Sequence, residues 1–180
     1  WGPYLGAEKI TDGIKVKISA FPKRDPEAML YKAKATGNYL NSMLALTDAL
    51  KSGYDEALIL GADDTINEGS GENIFLVKDN KLITPDLITV LDGITRKTII
   101  ELAKNQGIEC EERKISVNEI FECDEAFFTG TAAEVTPIIQ VDDRLIANGK
   151  PGEVTKMLQK NYFDLIHGKI SKYEKWLSVV

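Results

Sequence analysis

Apolar positions change their period along this chain, and the changes divide it into elements. Residues 1–20 read as extended segments around "TDG", ending in "IKVKISA", where alternation predicts a strand. Pro22 and Pro26 in "FPKRDPEAM" interrupt that pattern and predict a connection. From Asn38 to Lys51 the period turns helical: Leu40, Met43, Leu44 and Leu50 form one stripe with Thr47, and Gly53 predicts the stop. Short strands are predicted at Ala57–Leu60, Ile66–Glu68, Asn73–Val77 and Lys81–Thr84, with Asp79-Asn80 as a hairpin turn. Helical spacing returns in "GITRKTIIELAKNQG", where Ile99, Ile100, Leu102 and Ala103 supply the apolar face. A strand at "IECEERKIS", a short helix at "VNEIFECD", a strand at "EAFFTG" and a hairpin about Asp142-Asp143 follow. The last helix is predicted in "PGEVTKMLQKNYFDLIHG", with Pro151 near its first turn. Helices alternating with groups of strands predict an α/β fold with a mixed sheet, not a strict parallel array.

Composition narrows the function classes. A length of 180 residues suits one substantial domain. The net charge is −6, which leaves no basic footprint for nucleic acid. No apolar run has the length of a membrane span, and no cationic leader precedes an apolar stretch. Only two cysteines, Cys110 and Cys123, and one histidine, His167, are present. That usage fits a reducing, cytoplasmic setting and argues against a zinc cluster, so no metal site is expected. Both cysteines read as packing residues and His167 as a helix-end residue. The opening "WGPYLGAEKI" lacks an initiating methionine, and the sequence reads as a fragment whose first half is missing.

Four stretches carry candidate chemistry. "YKAKATGNYLNSM" sets Lys32 and Lys34 ahead of a Gly-Asn-Tyr turn. "INEGSGENIF" places Glu68 at a strand end before a glycine-rich turn. "DGITR" opens a helix whose first amides, near Ile94 and Thr95, lack intrahelical partners and form an anion seat. "FFTGTAAE" follows a strand with small residues at Thr131, Ala132 and Ala133, whose amides can face a ligand. Each stretch has a plain reading: a surface cation, a solvated acid, an N-cap at Thr95, a strand-to-turn junction. Together they supply one amine, one acid, one phosphate seat and one amide loop, which are the parts pyridoxal phosphate needs.

The segments "KATGNYLNSMLA", "GYDEALIL", "NEGSGENIF", "DGITRKTIIELA" and "DEAFFTGTAAEVTPI" resemble the fold-type IV aminotransferases, in the same order and with similar spacing. "WGPYLG" at the start makes the branched-chain amino acid aminotransferases the nearest branch. The resemblance implies the mixed-sheet pseudo-barrel of that fold, with residues 1–180 as its C-terminal, cofactor-binding domain and 1–33 as a substrate-entry segment. It implies Lys34, not Lys32, as the lysine that carries pyridoxal 5′-phosphate and transfers the proton. It assigns Tyr39 to the ring hydroxyl, Glu68 to the ring nitrogen and Leu91 to the underside of the ring. Ile94, Thr95 and Thr131 are assigned to the phosphate, the Thr131 and Ala132 amides to the substrate carboxylate, and Trp1 and Tyr4 to an aliphatic pocket. Glu72 is the rival for the ring acid, with a supporting role suggested by its place in the motif. The implied reaction moves the amino group of leucine, isoleucine or valine to 2-oxoglutarate.

The resemblance begins part-way through the family's enzyme. It therefore implies a smaller N-terminal domain that this sequence lacks, weak or no activity from this chain alone, and a homodimer or larger oligomer for the whole enzyme. Asp92 replaces the family's usual proline and is expected to face solvent. D-amino acid aminotransferase and aminodeoxychorismate lyase are the alternatives within the fold. A non-catalytic binding or scaffold domain is the alternative of another class.

Overall fold

The computed structural model describes residues 4–23 and 30–178. Nine strands form one mixed sheet: β1 (Ile14–Ile18), β2 (Glu56–Leu60), β3 (Ile66–Gly69), β4 (Asn73–Lys78), β5 (Lys81–Thr84), β6 (Cys110–Glu112), β7 (Glu125–Gly130), β8 (Glu134–Val141) and β9 (Arg144–Leu145). Their order is β3-β2-β1-β8-β7-β4-β5-β6, and a further β3–β4 pairing joins the two arms of the sheet. The strands β3, β2, β1, β8, β7 and β4 thus close into a ring, with β5 and β6 continuing outward from β4. β1 runs parallel to both β2 and β8, and the other pairings within the ring are antiparallel.

The apolar runs "NIFLV" and "AFF" arise because β4 and β7 are covered on both faces. Ile74, Leu76, Ala126 and Phe128 point into one core cluster with Ile14, Val16, Leu58 and Ile138. Their alternates Phe75, Val77 and Phe127 point to the other side, against α3 (Ile94–Asn105) and α5 (Glu153–Ile166). Phe75 and Phe127 are direct cross-strand partners, and their rings stack with centroids 5.2 Å apart. On α3, Ile99, Leu102 and Ala103 are buried, as the spacing predicts, while Ile100 is only partly covered.

Local structure departs from the sequence reading at several points. Ala7–Asp12, read as extended, is a short helix, α1, set between Gly6 and Gly13, both with positive φ. At Gly13 a Cβ would stand 2.4 Å from the Ile139 side chain, so close packing on β8 fixes the glycine as well as its φ. The helix predicted after the lysines forms as α2 (Tyr39–Lys51), but its large apolar stripe faces outward. Leu40, Met43, Leu44 and Leu50 are exposed, while Ala45 and Ala49 pack against Ala57 and Ile59 of β2. Small side chains let the helix lie close on the sheet, and the longer ones are left to other surfaces. Of the predicted "IECEERKIS" strand, Cys110–Glu112 forms β6, and Ser116 makes an isolated bridge to Thr65. Pro151 precedes α5, whose N-cap is Gly152. α4 (Val117–Glu122) forms where the short helix is predicted, with a capping box between Ser116 and Glu119.

The two thiols are packing residues. Burial pushes Cys110 up to about 11 and Cys123 up to about 12. No helix among the described residues is long and apolar enough to cross a membrane.

Candidate active site

Lys34 follows a bend and precedes the 3₁₀ turn Thr36–Asn38 that leads into α2. Asn38 holds this approach by donating from its amide group to the carbonyls of Leu30 and Ala33, at 3.0 and 2.9 Å. The next residue, Tyr39, opens α2, and its hydroxyl accepts a hydrogen bond from Lys34 Nζ at 3.1 Å. The turn therefore fixes the phenol beside the amine.

Lys34 sits where two cavities meet. One, of about 280 Å³, is lined by Lys32, Lys34, Gly71, Asn73, Thr129, Gly130, Thr131 and the segment from Leu91 to Thr95. The other, of about 270 Å³, is lined by Tyr4, Lys34, Tyr39, Ser42, Met43, Leu46, Ser70, Gly71, Glu72 and Ala132. Each alone falls just below the size usual for small-molecule pockets, roughly 300–1,000 Å³, and together they lie within it.

The far wall of the first cavity is the start of α3. Gly93 is its N-cap, with extended backbone and no side-chain cap, so Thr95 is not the cap. The first intrahelical bond runs from the Lys97 amide to the Gly93 carbonyl, which leaves the amides of the first turn without helical acceptors. Thr95 is buried beside Tyr162 of α5 and lowers that phenol's pKa, against a larger upward push from burial. Asn73 secures the turn from below: its side-chain amide donates to the Leu91 carbonyl at 2.8 Å. A Cβ on Gly93 would stand 2.1 Å from Asn73 Oδ1, so this approach admits only glycine. The Thr129 hydroxyl in the same wall is buried and has no hydrogen-bond partner among the described residues.

Asp92 faces solvent in part. It lines the first cavity with one carboxylate oxygen buried, while the other pairs with Lys97 at 2.6 Å and the side chain stays 37% exposed. Lys97 offsets its charge.

Glu68, at the end of β3, occupies a neighbouring space of about 40 Å³, lined also by Lys23, Tyr31, Tyr39 and Leu91. Its Oε1 is ion-paired with Lys23, and both side chains are largely covered. Its Oε2 accepts the Leu91 amide at 3.1 Å. Glu68 and Lys34 thus open into adjoining spaces, with Tyr39 shared by one pair of walls and Leu91 by another. Lys23, read from sequence as part of a loop, is the residue nearest in charge to Glu68, and it also lies 4.3 Å from the centroid of the Tyr31 ring.

Thr131, on the first cavity, and Ala132, on the second, lie in the turn between β7 and β8. Neither amide donates to an acceptor among the described residues, while the Ala132 carbonyl accepts the Tyr4 amide at 3.0 Å. Tyr4 is 58% exposed at this rim. Trp1 lies outside the described residues. Below the rim are two buried acids, Glu56 and Glu72. Burial, then the neighbouring Glu56 and later Glu68, push Glu72 up to about 8, against a downward pull from the Gly71 amide and Lys34. Burial is also what raises Glu56.

This shift yields a stability prediction. A carboxyl raised from 4.5 to about 8 holds its proton in the folded chain over a window where the unfolded chain has lost it. Stability therefore falls as pH rises through that window, by up to about 1.4 kcal/mol per pH unit for one group. Glu72→Gln removes this dependence. Urea midpoints at pH 5, 6.5 and 8 are expected to decline less steeply in the variant than in the parent; equal slopes contradict the assignment.

The sequence profile described as amino-transferase class IV matches residues 2–141. The chain belongs to the class IV aminotransferases. Among curated proteins of this family, the branched-chain-amino-acid aminotransferase of Pseudomonas aeruginosa is 48% identical over 180 residues, covering all of this chain and 59% of the relative. The chain thus spans less than two thirds of the length of that relative. Class IV structures also share its fold. The branched-chain aminotransferase of Thermoproteus uzoniensis, solved with norvaline, superposes with a TM-score of 0.90 at 42% identity, over 94% of this chain and 56% of that one. The branched-chain amino acid aminotransferase of Thermobaculum terrenum, in its PLP-form, gives a TM-score of 0.89 at 38% identity, over 92% and 54%. The ring of strands and the surrounding helices are accordingly the α/β pseudo-barrel of fold-type IV, as the sequence resemblance implies.

Proposed function

We propose that this chain is the cofactor-binding part of a branched-chain amino acid aminotransferase that uses pyridoxal 5′-phosphate. The observation that carries this reading is the placement of Lys34 Nζ, 3.1 Å from the Tyr39 hydroxyl, at the rim of a cavity closed by an uncapped helix start. The names of the relatives, and the PLP-form and norvaline complexes among the similar structures, support the cofactor and the aliphatic substrate.

The residues present fit that cofactor. The free amides of the α3 start suit a phosphate, and the buried, unpartnered Thr129 hydroxyl in the same wall calls for a polar group in the cavity. When bound, pyridoxal phosphate supplies an aldehyde that takes up amines and a ring that accepts the electron pair left at the substrate α-carbon. Lys34 would be the residue that holds the aldehyde, and its amine, once free, would serve as general base and then general acid for the proton of the substrate α-carbon. The Tyr39 hydroxyl, in contact with Nζ, fixes the direction of that amine and serves the ring hydroxyl. Glu68 would serve the ring nitrogen, Leu91 would pack against the ring, and Ile94, Thr95 and Thr131 would take the phosphate. The Thr131 and Ala132 amides take the substrate carboxylate, and Tyr4, with Trp1, bounds the aliphatic side chain. Met43 and Leu46 add apolar wall to that second cavity.

The whole enzyme, in this reading, is a cytoplasmic homodimer or larger oligomer that passes the amino group to 2-oxoglutarate, and the 180-residue chain alone is weakly active or inactive. A substrate panel on the complete enzyme tests the reading. Leucine, isoleucine and valine are expected to be the good amino donors; turnover confined to D-amino acids, or lyase activity without transamination, overturns it.

A further inference from the structure

We infer that Asp92 weakens this protein's hold on the phosphate of its cofactor, and that Lys97 moderates the effect. The inference rests on the pyridoxal phosphate reading above. Asp92 is the one acid among the described residues that line the cavity closed by the α3 start; the other charged side chains there are Lys32 and Lys34. It immediately precedes Gly93, the N-cap of α3. Its carboxylate thus belongs to the same helix end whose free amides suit a phosphate.

The two oxygens of Asp92 have different surroundings. Oδ2 pairs with Lys97 at 2.6 Å, while Oδ1 is buried and has no hydrogen-bond partner among the described residues. Lys97 is absent from the lining of this cavity; its side chain is 60% exposed and lines a neighbouring cavity with Thr98 and Trp176. The ion pair is therefore a dipole with its negative end on the cofactor cavity and its positive end outside it. A phosphate brought to the α3 start meets that negative end. Carboxylate and phosphate oxygens are both acceptors, so no hydrogen bond joins them, and the two anions compete for one positive helix terminus. Lys97 offsets part of the repulsion. Water and salt screen more of it, because Asp92 is 37% exposed. The plain alternative is that Asp92 only stabilises α3 through the helix dipole, with no effect on a ligand.

The test uses the complete enzyme stripped of cofactor. Equilibrium dialysis compares pyridoxal 5′-phosphate with pyridoxal, which lacks the phosphate, on the parent, Asp92→Ala, Lys97→Met and the double variant, with thermal midpoints to check folding. At low salt, Asp92→Ala is expected to tighten pyridoxal 5′-phosphate binding by about threefold to fivefold and to leave pyridoxal binding unchanged, the scale of a partly exposed charge contact. Lys97→Met is expected to weaken pyridoxal 5′-phosphate binding by a similar factor, and to lose most of that effect once Asp92 is gone. High salt is expected to shrink both changes. If Asp92→Ala keeps or lowers the parent's preference for the phosphorylated compound, Asp92 has no such role, whatever happens to the thermal midpoint. If the effect of Lys97→Met is the same with and without Asp92, Lys97 does not act through it. A parent enzyme that binds neither compound contradicts the cofactor reading itself, and this inference falls with it.

Discussion

Lys34→Ala in the complete enzyme is expected to lower transamination of leucine by at least about 10⁴-fold, because in the proposed reading one residue both holds the aldehyde and moves the proton. The fold is expected to survive. Lys34 is exposed, and its one hydrogen bond among the described residues is the 3.1 Å bond to the Tyr39 hydroxyl, which the phenol replaces with water. Circular dichroism and thermal midpoints should therefore match the parent while steady-state turnover vanishes. Tyr39→Phe separates orientation from chemistry: it keeps the amine and removes only the group beside Nζ. A partial loss of turnover, smaller than that of Lys34→Ala, is expected from it. Ordinary turnover in Lys34→Ala removes the central assignment.

The second large effect concerns Glu68. Its carboxylate is held by Lys23 on one oxygen and by the Leu91 amide on the other. In the proposed reading, an ionised acid at this position would keep the ring nitrogen protonated, which makes the ring a good electron acceptor. Glu68→Gln keeps the shape and removes the charge. We expect kcat/KM to fall by about 10²–10³-fold, the range for losing one aimed electrostatic group. The same change strands Lys23, whose side chain is 11% exposed, and costs about 1–3 kcal/mol of stability. Pairing it with Lys23→Met removes both charges together. The double variant is expected to recover much of the lost stability and none of the lost activity. Recovered activity would mean that Glu68 acts only by neutralising Lys23. Full activity in Glu68→Gln would leave Glu72 as the ring acid.

The strands were legible because their apolar runs follow from burial on both faces. "NIFLV" and "AFF" admit few other readings once the turns around them are placed. α2 shows where periodicity stops informing. Leu40, Met43 and Leu44 announce a helix correctly, but the sheet-facing side is chosen by Ala45 and Ala49, which allow close approach to Ala57 and Ile59. Hydrophobicity alone ranks those alanines below the leucines. α1 was missed because six residues between two glycines carry too little period to read.

The site was legible in its local parts and obscure in its long-range ones. The helix start at Gly93 and the amide turn after β7 are each set by a few adjacent residues, and the structure brings both to one cavity with Lys34. The pairing of Lys23 with Glu68 spans 45 residues of chain, and nothing near "FPKRDP" announces it. Asn73 could have been found: a polar residue heading the buried run "IFLV" must be satisfied somewhere, and it is satisfied at Leu91. Asp92, expected to face solvent, does so only in part: its pairing with Lys97 leaves the other oxygen buried in the cavity wall.

One measurement bears most directly on the account. The 180-residue chain is incubated with pyridoxal 5′-phosphate, reduced with borohydride, digested, and its peptides mapped by mass. The account predicts a phosphopyridoxyl label on Lys34 that is abolished in Lys34→Ala. A label that settles on Lys32 with Lys34 unmodified, or no label at saturating cofactor, contradicts it.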